Sequence, residues 1–565
     1  MAEAFATDTT KSLLRKLGSS AVPSAWGLEA DLSRLEERLS AINTVLSDAE
    51  KIQSKNDSIR LWLHDLIEVL YDAEDALDEI ECETLRRKVV KTTGSTSRKV
   101  RRFFSSSSMI ALRLRMGHKI KNIMERLAEI SSLKSNFNLN EQTNDGSHVL
   151  HEEKDILYRS FESFSGLIGR DEEKERIINL LVEPSRDGYQ FIDLILVQFW
   201  MAHGLIKSSN PNENLEDVGL RYVHELILKC FFQDYVGLTF SASFKMHDLM
   251  HDLASSLARN ECSIISSQNH QISKTSRHLS VLDSNSLFDQ TLPKYPHKLH
   301  HVRSIVFASS LEGLGCKAGF EKCLSEFKHL RSLELMDDSE FEVFPERVGA
   351  LKHLRYLNFA GNAKMKRLPK SIFKLQSLQA MVVGVGLEEL PKDVRYMISL
   401  GFLFLVTKQK RLPEGSMKCL TALKELFIGD CEKLDMMTLD EEKERETQRL
   451  SLQIVAFGGL PATQALPKQL LHGCTNSLER FMIVDCPNII ELPECISNLK
   501  RLQNLQIFHI LLILQFLSSF KFISLKTISR SGGLGSNGTP STLPEKKQDE
   551  LSLKSLPLVI RGLTI

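Results

Sequence analysis

The chain of 565 residues contains no Gly-Lys dipeptide and therefore no G-x-x-x-x-G-K-[ST] loop. Such a loop aims backbone N–H groups and one lysine at a phosphate, so its absence removes the usual clamp for a nucleoside triphosphate. Net charge is lacking as well. The 72 Lys and Arg balance the 72 Asp and Glu, and nothing global favours nucleic acid or an anionic membrane. The ten cysteines never fall in a C-x-x-C pair. That argues against a zinc cluster or a disulfide framework and fits a reducing, cytoplasmic setting. The N-terminus, MAEAFATDTTKSLLRKLGSS, has no continuous apolar core and does not read as a secretory signal. One long run, Leu502–Phe520, carries no charge. Its Gln503, Asn504, Gln506, His509 and Gln515 suit it poorly to a spanning helix of about 20 apolar residues. It reads as a buried or irregular C-terminal segment.

What is present divides into blocks, as the length requires, since one core rarely grows past about 250–300 residues. The first block is helical. Leu28, Leu32, Leu35, Leu39, Ile42 and Leu46 form an apolar seam. A second seam runs Ile59, Trp62 or Leu63, Leu66, Leu70, Ala73, Leu77, Ile80, and a third Met116, Ile120, Ile123, Leu127, Ile130. Amphipathic helices with such seams pack into a bundle. Glu74 and Asp78, like Asp75 and Glu79, stand at i, i+4 spacing and predict one acidic patch. It is either a solvated face or a docking surface for a basic partner. The basic stretch Arg86–Arg102 reads as a solvated loop between helices, with anionic lipid or acidic protein as the alternative ligand.

The middle of the chain carries GLIGRDEEKERIINLL from Gly166 and FKMHDLMHDLA, which contains Met246-His247-Asp248. Between them, Leu215–Phe231 predicts an amphipathic helix, Val236–Phe240 with Ser243–Met246 a hairpin, and His247–Leu257 a further helix. His247 and His251 mimic the H-E-x-x-H spacing of zinc proteases, but the intervening acid is a shorter Asp and no third ligand is evident. No metal site and no catalytic residue is assigned.

From about residue 300 the chain repeats. Leu330, Leu354, Leu378, Leu400 and Leu423 recur at intervals of 24, 24, 22 and 23 residues, and Pro345, Pro369, Pro391, Pro413 and Pro493 recur with them. A unit such as LKHLRYLNFAGNAKMKRLPKSI is a leucine-rich repeat, with short strands lining one face of a solenoid. Lys352, Arg355, Lys364, Lys366, Arg367 and Lys370 cluster in two adjacent repeats and are candidates to attract Glu74–Glu79.

The run LSDAEKIQSKNDSIRLWLHDLIEVLYDAEDALDEIE resembles the coiled-coil (Rx-type) N-terminal domain of plant intracellular immune receptors, with AEDALDE matching that family's acidic motif. GLIGR resembles the opening of its nucleotide-binding (NB-ARC) core, LVQFWMAHGLI and Met-His-Asp its winged helix, and the repeats its recognition array. The resemblance implies a multidomain α and α/β-repeat architecture: an N-terminal helical bundle, a remnant winged-helix domain and a leucine-rich-repeat solenoid. The expected boundaries are 1–135 for the bundle, 136–165 for a linker, 166–190 for a truncated NB-ARC start and 191–265 for the winged-helix remnant. A linker at 266–299, repeats at 300–510 and an irregular or disordered tail at 511–565 follow.

The resemblance also implies that Glu74, Asp75, Asp78 and Glu79 dock on the chain's own repeats and that the bundle signals by oligomerising with related receptors. By the same resemblance Ile168, Gly169 and Arg170 lie beside adenine and ribose, and His247 faces the β-phosphate of ADP. The family uses ADP or ATP with Mg²⁺ as a switch. A phosphate-binding domain of roughly 100 residues does not fit between Leu181 and Phe191, so no cofactor and no NTPase activity is expected. The function implied is defence response through protein recognition. The alternatives are an ADP-binding switch retained despite the truncation, or a non-signalling structural protein.

Overall fold

A computed structural model of the full chain describes residues 5–18, 27–53, 56–92, 109–133 and, with short breaks, 191–508. Strands at 527–530 and 558–560 complete the described residues. The chain divides into two units, Met1–Asn260 and Glu261–Ile565.

The first unit opens with four helices: α1 (Phe5–Gly18), α2 (Glu29–Ile52), α3 (Asp57–Thr92) and α4 (Met109–Leu133). All three predicted seams are buried, from Leu28 to Leu46, Ile59 to Ile80 and Met116 to Ile130. Asn56 starts α3 by accepting hydrogen bonds from the Ser58 and Ile59 amides at 2.9 and 3.3 Å, which satisfies donors a helix start leaves open. The Trp62 indole donates to the Ile130 carbonyl at 2.9 Å and ties α3 to α4. Helix α1 adds a fourth side to the bundle through Ala6, Thr10 and Leu13, each fully buried. Helix α3 also runs further than the sequence suggested. Arg86 and Arg87, expected to open a loop, are helical and pair with Glu83 at 2.9 and 3.2 Å. The remainder of the basic stretch, 93–102, lies outside the described residues.

The same unit contains a small winged-helix body. It comprises β1 (Phe191–Ile192), α5 (Asp193–Ala202), α6 (Leu215–Leu228), β2 (Phe232–Gly237), β3 (Ala242–Met246) and α7 (Asp248–Leu257). The three strands form an antiparallel sheet in the order β1-β3-β2. Val197, Ile206, Val218, Val223, Phe232 and Phe244 make the core, with the rings of Phe232 and Phe244 stacked at 4.5 Å. Gly204, at φ +70, stops α5. The amides of Gly204 and Leu205 then bond back to Met201 and Trp200 at 3.0 Å, a glycine-dependent helix stop.

The second unit is a solenoid whose strands run parallel in strict chain order: β4 (Cys262–Ile265), β5 (His278–Val281), β6 (Ser304–Phe307), β7 (Ser332–Leu335), β8 (Tyr356–Phe359), β9 (Ala380–Val383), β10 (Phe402–Leu405), β11 (Glu425–Gly429), β12 (Ile454–Gly458), β13 (Arg480–Val484), β14 (Asn504–Phe508), β15 (Thr527–Arg530) and β16 (Leu558–Ile560). The recurring Leu330, Leu354, Leu378, Leu400 and Leu423 each lie two residues before a strand and are at most 2% exposed. Burying each such leucine contributes about 1.5–3 kcal/mol. Pro345, Pro369 and Pro493 cap single 3₁₀ turns at Glu346–Ala350, Lys370–Lys374 and Glu494–Asn498. Their fixed φ suits the first step into a turn. Two expected boundaries move. The stretch 266–299, expected as a linker, contains β5, and the sheet already begins at Cys262. These early units were hidden because His278-Leu-Ser-Val281 offers only two apolar residues and no LxxL lead-in. The tail, expected as irregular from residue 511, contributes β15 and β16 to the same sheet.

Candidate functional site

His247 ends β3 and begins α7. Its backbone is extended, at φ −61 and ψ 137, and its Nδ1 accepts the Leu249 amide at 3.2 Å. The ring therefore serves as a helix cap. His251 lies one turn on and contacts Asp252 at 3.5 Å. Ile168, Gly169 and Arg170 lie outside the described residues. The described part of this body offers no glycine-rich turn beside His247 to receive a phosphate chain. The β1–α5 junction is Ile192-Asp193, with neither glycine nor lysine.

The acidic motif is placed differently from the single patch the spacing predicted. Asp78 and Glu79 stand 100° apart around α3, and the motif divides accordingly. Lys16 of α1 lies 2.7 Å from Asp78 and 3.4 Å from Glu74. Glu79 instead meets α4, through Arg115 and through Lys119 at 2.7 Å. Glu74, Asp75 and Asp78 are 8, 6 and 4% exposed, so they are not a solvated face. Buried carboxylates persist only when cations and donors compensate their lost hydration.

The array carries a charged feature of its own, four arginines at equivalent positions of successive repeats. Arg277, Arg303, Arg331 and Arg355 each stand immediately before β5, β6, β7 and β8. Their backbones are in register: the amides of Arg303, Arg331 and Arg355 each bond to the preceding arginine carbonyl at 2.6–2.7 Å. Four guanidinium stems thus stack at the interstrand spacing of about 4.8 Å. The column then changes character, continuing through Gln379, Gly401, Lys424, Gln453 and Glu479. The signal was available as a repeated phrase, RHLSV, RSIVF, RSLEL and RYLNF. Of the basic cluster nominated from sequence, only Arg355 belongs to the column. Lys370 starts a 3₁₀ turn, Lys366 pairs with Glu342 at 2.8 Å, and Arg367 bridges Val343 and Glu389.

The field of the column is felt by its neighbours. His278 opens β5 with Nδ1 2.6 Å from Ser304 Oγ. Burial first, then Arg303, Arg277 and Arg331, push its pKa down to about 4, so the ring stays neutral. One position further along the face, Glu334 accepts a hydrogen bond from Asn358 Nδ2 at 2.7 Å, and the same nitrogen donates to the Tyr356 hydroxyl at 3.1 Å. Burial lifts the Glu334 carboxyl to about 7 against that hydrogen bond.

Three stretches match family models. Residues 10–133 match the Rx N-terminal domain, 186–254 the winged-helix domain of disease resistance proteins, and 301–444 a leucine-rich repeat region. The chain is of the plant disease-resistance type. Disease resistance protein RGA2 of Solanum bulbocastanum is 36% identical over 187 residues, 33% of this chain and 18% of that protein. The RGA1 protein of the same species is 33% identical over 171 residues, covering 30% and 14%. The At3g14460 protein of Arabidopsis thaliana is 32% identical over 202 residues, covering 35% and 14%. The chain thus matches well under two thirds of the length of these relatives. The winged-helix match begins at residue 186, so this disease-resistance chain retains that domain from just ahead of β1.

Proposed function

We propose that the chain acts in plant defence as a protein-recognition molecule, through its repeats and its bundle, without a nucleotide switch. The observation that carries the reading is the arginine column Arg277–Arg303–Arg331–Arg355, set in register by the strands that follow it. Carboxylates at helical spacing are the chemistry that suits such a column, and α3 carries Glu74, Asp75 and Asp78. The acidic motif docks on the column and holds the bundle in a resting arrangement, and release frees it for partners, related receptors among them. Arg and carboxylate are suited to such contacts because paired N–H groups meet both oxygens.

No NTPase activity belongs to this reading, because the sequence has no Gly-Lys loop and His247 is committed to a cap. The setting is cytoplasmic. Among the described residues no helix is long and apolar enough to cross a membrane.

Hydrogen–deuterium exchange on the full chain tests the docking. Asp75→Arg should raise exchange in 277–303, Arg331→Glu should raise it in 72–83, and the two together should restore protection at both. If neither single change is felt at the other site, the docking is wrong. Expression in leaf tissue beside a full-length relative tests the role. Enhanced or suppressed cell death is expected, and no change would favour a structural protein outside defence.

A further inference from the structure

A groove of about 660 Å³ runs between α2 and α4, on a side of the bundle that neither the acidic motif nor its cations use. Its floor is made by small and apolar residues, Leu28, Gly117, Met124 and Ala128. Cations stand on both walls: Arg34 and Arg38 one turn apart on α2, Arg113 and Lys121 two turns apart on α4. Gly117 lies midway between Arg113 and Lys121 and leaves the wall open there. Gly27, at φ +62, holds a backbone conformation that favours glycine, and the Arg113 guanidinium packs against its open side. Lys121 lies 3.9 Å from Glu125 with both side chains mostly exposed, while Arg34, Arg38 and Arg113 have no ion-pair partner among the described residues. Leu114 stands at the mouth, 59% exposed.

We propose that this groove is a docking site for an acidic amphipathic helix of a partner protein. The charge pattern selects that occupant. Carboxylates at i, i+4 match Arg34 and Arg38, which have the same spacing on α2. An apolar residue between them covers Leu114 and Met124, as in helix-in-groove recognition. Asp31, Glu37 and Glu125 stand among the cations. They repel a compact polyphosphate or an anionic bilayer, whose charge cannot be spaced to avoid them. The cationic part of α2, Leu28 to Arg38, is about 15 Å long, enough for roughly three turns of a partner helix.

Fluorescence anisotropy with the full chain tests this. The probe is a labelled synthetic helix of about four turns carrying glutamates at i, i+4 on one edge of a leucine stripe. It should bind, and Arg34→Glu with Arg113→Glu should weaken binding roughly tenfold, as loss of two surface pairs implies. The same double variant should bind the probe tightly again when its glutamates are replaced by lysines, a result that a misfolded bundle cannot give. Leu114→Ser, at an exposed position, should weaken binding without altering helical melting. No binding to the unaltered chain, or equal binding to the double variant, would overturn the proposal. So would displacement of the probe by inositol hexakisphosphate or phosphatidylserine vesicles in preference to unlabelled peptide.

Discussion

The repeat array and the winged-helix body bury their apolar residues in different ways. Along the array Leu279, Ile305, Leu333, Leu357, Met381, Leu403, Leu426 and Val455 occupy one column, and none is more than 2% exposed. Each repeat covers its neighbour, so the column is closed wherever the pattern continues. The winged-helix body has six residues at its centre and leaves Leu228, Leu249, Leu253 and Phe231 at 70, 68, 47 and 40% exposure. The array closes itself by repetition. The winged-helix body, built on a single short sheet and three helices, leaves these apolar side chains uncovered among the described residues.

The sharpest way to break that contrast is to truncate inside the array. Phe320 is fully buried, with its ring 5.4 Å from those of Phe307 and Phe341. Phe320→Ala should cost about 3–5 kcal/mol, read as raised hydrogen exchange across β6 to β8. A cost under about 1 kcal/mol would mean that the array is loosely packed.

Next in size are two buried titrations in the array with opposite signs. His278 falls from 6.5 to about 4 on folding. Its neutral form is the stable one, so its contribution is complete above 6.5 and is lost as pH falls toward 4. Glu334 rises from 4.5 to about 7. Its protonated form is the stable one, so stability is complete below 4.5 and is lost as pH rises through 7. The two trends oppose each other between 4.5 and 6.5. Glu334→Gln should therefore stabilise the array at pH 8 by on the order of 2–3 kcal/mol and by little at pH 4. Denaturant unfolding at the two pH values checks it.

A smaller effect is expected where the bundle ties down its own acids. Lys16→Met removes the amine 2.7 Å from Asp78. Because Lys16 is 27% exposed, solvent moderates the loss to about 1–2 kcal/mol, seen in helical melting at 222 nm. The smallest effect should come from the open face of the winged-helix body. Leu249→Ser should change stability by under about 0.5 kcal/mol while lowering concentration-dependent association, measured by sedimentation. A large loss of stability there would show that α7 is covered and would remove the contrast.

Much of the fold was legible because it is periodic. The seams of α2, α3 and α4 and the leucines before β7 to β11 repeat at helical or repeat spacing and need no partner to be recognised. The hairpin and α7 were placed to within a few residues, because Ser243–Met246 leads directly into a capped helix start. What was missed has a physical cause in each case. Helix α1 hides its core contact behind Thr10, a polar residue in an apolar position. The division of the acidic motif follows from the turn angle between Asp78 and Glu79 and from two cationic neighbours, Lys16 and Arg115, that are distant in sequence. The arginine column stands outside the inward-facing pattern used to find repeats. Arg277 and Arg303 precede β5 and β6, whose sequences carry no LxxL lead-in to announce a repeat.

A molecule that works through its charged surfaces has no use for a bound nucleotide. Isothermal titration of ADP with Mg²⁺ into the full chain asks this directly. The prediction is no saturable heat up to about 1 mM ligand; a site with a Kd of roughly 1–10 µM, near −8 kcal/mol, that is lost in His247→Ala would contradict it.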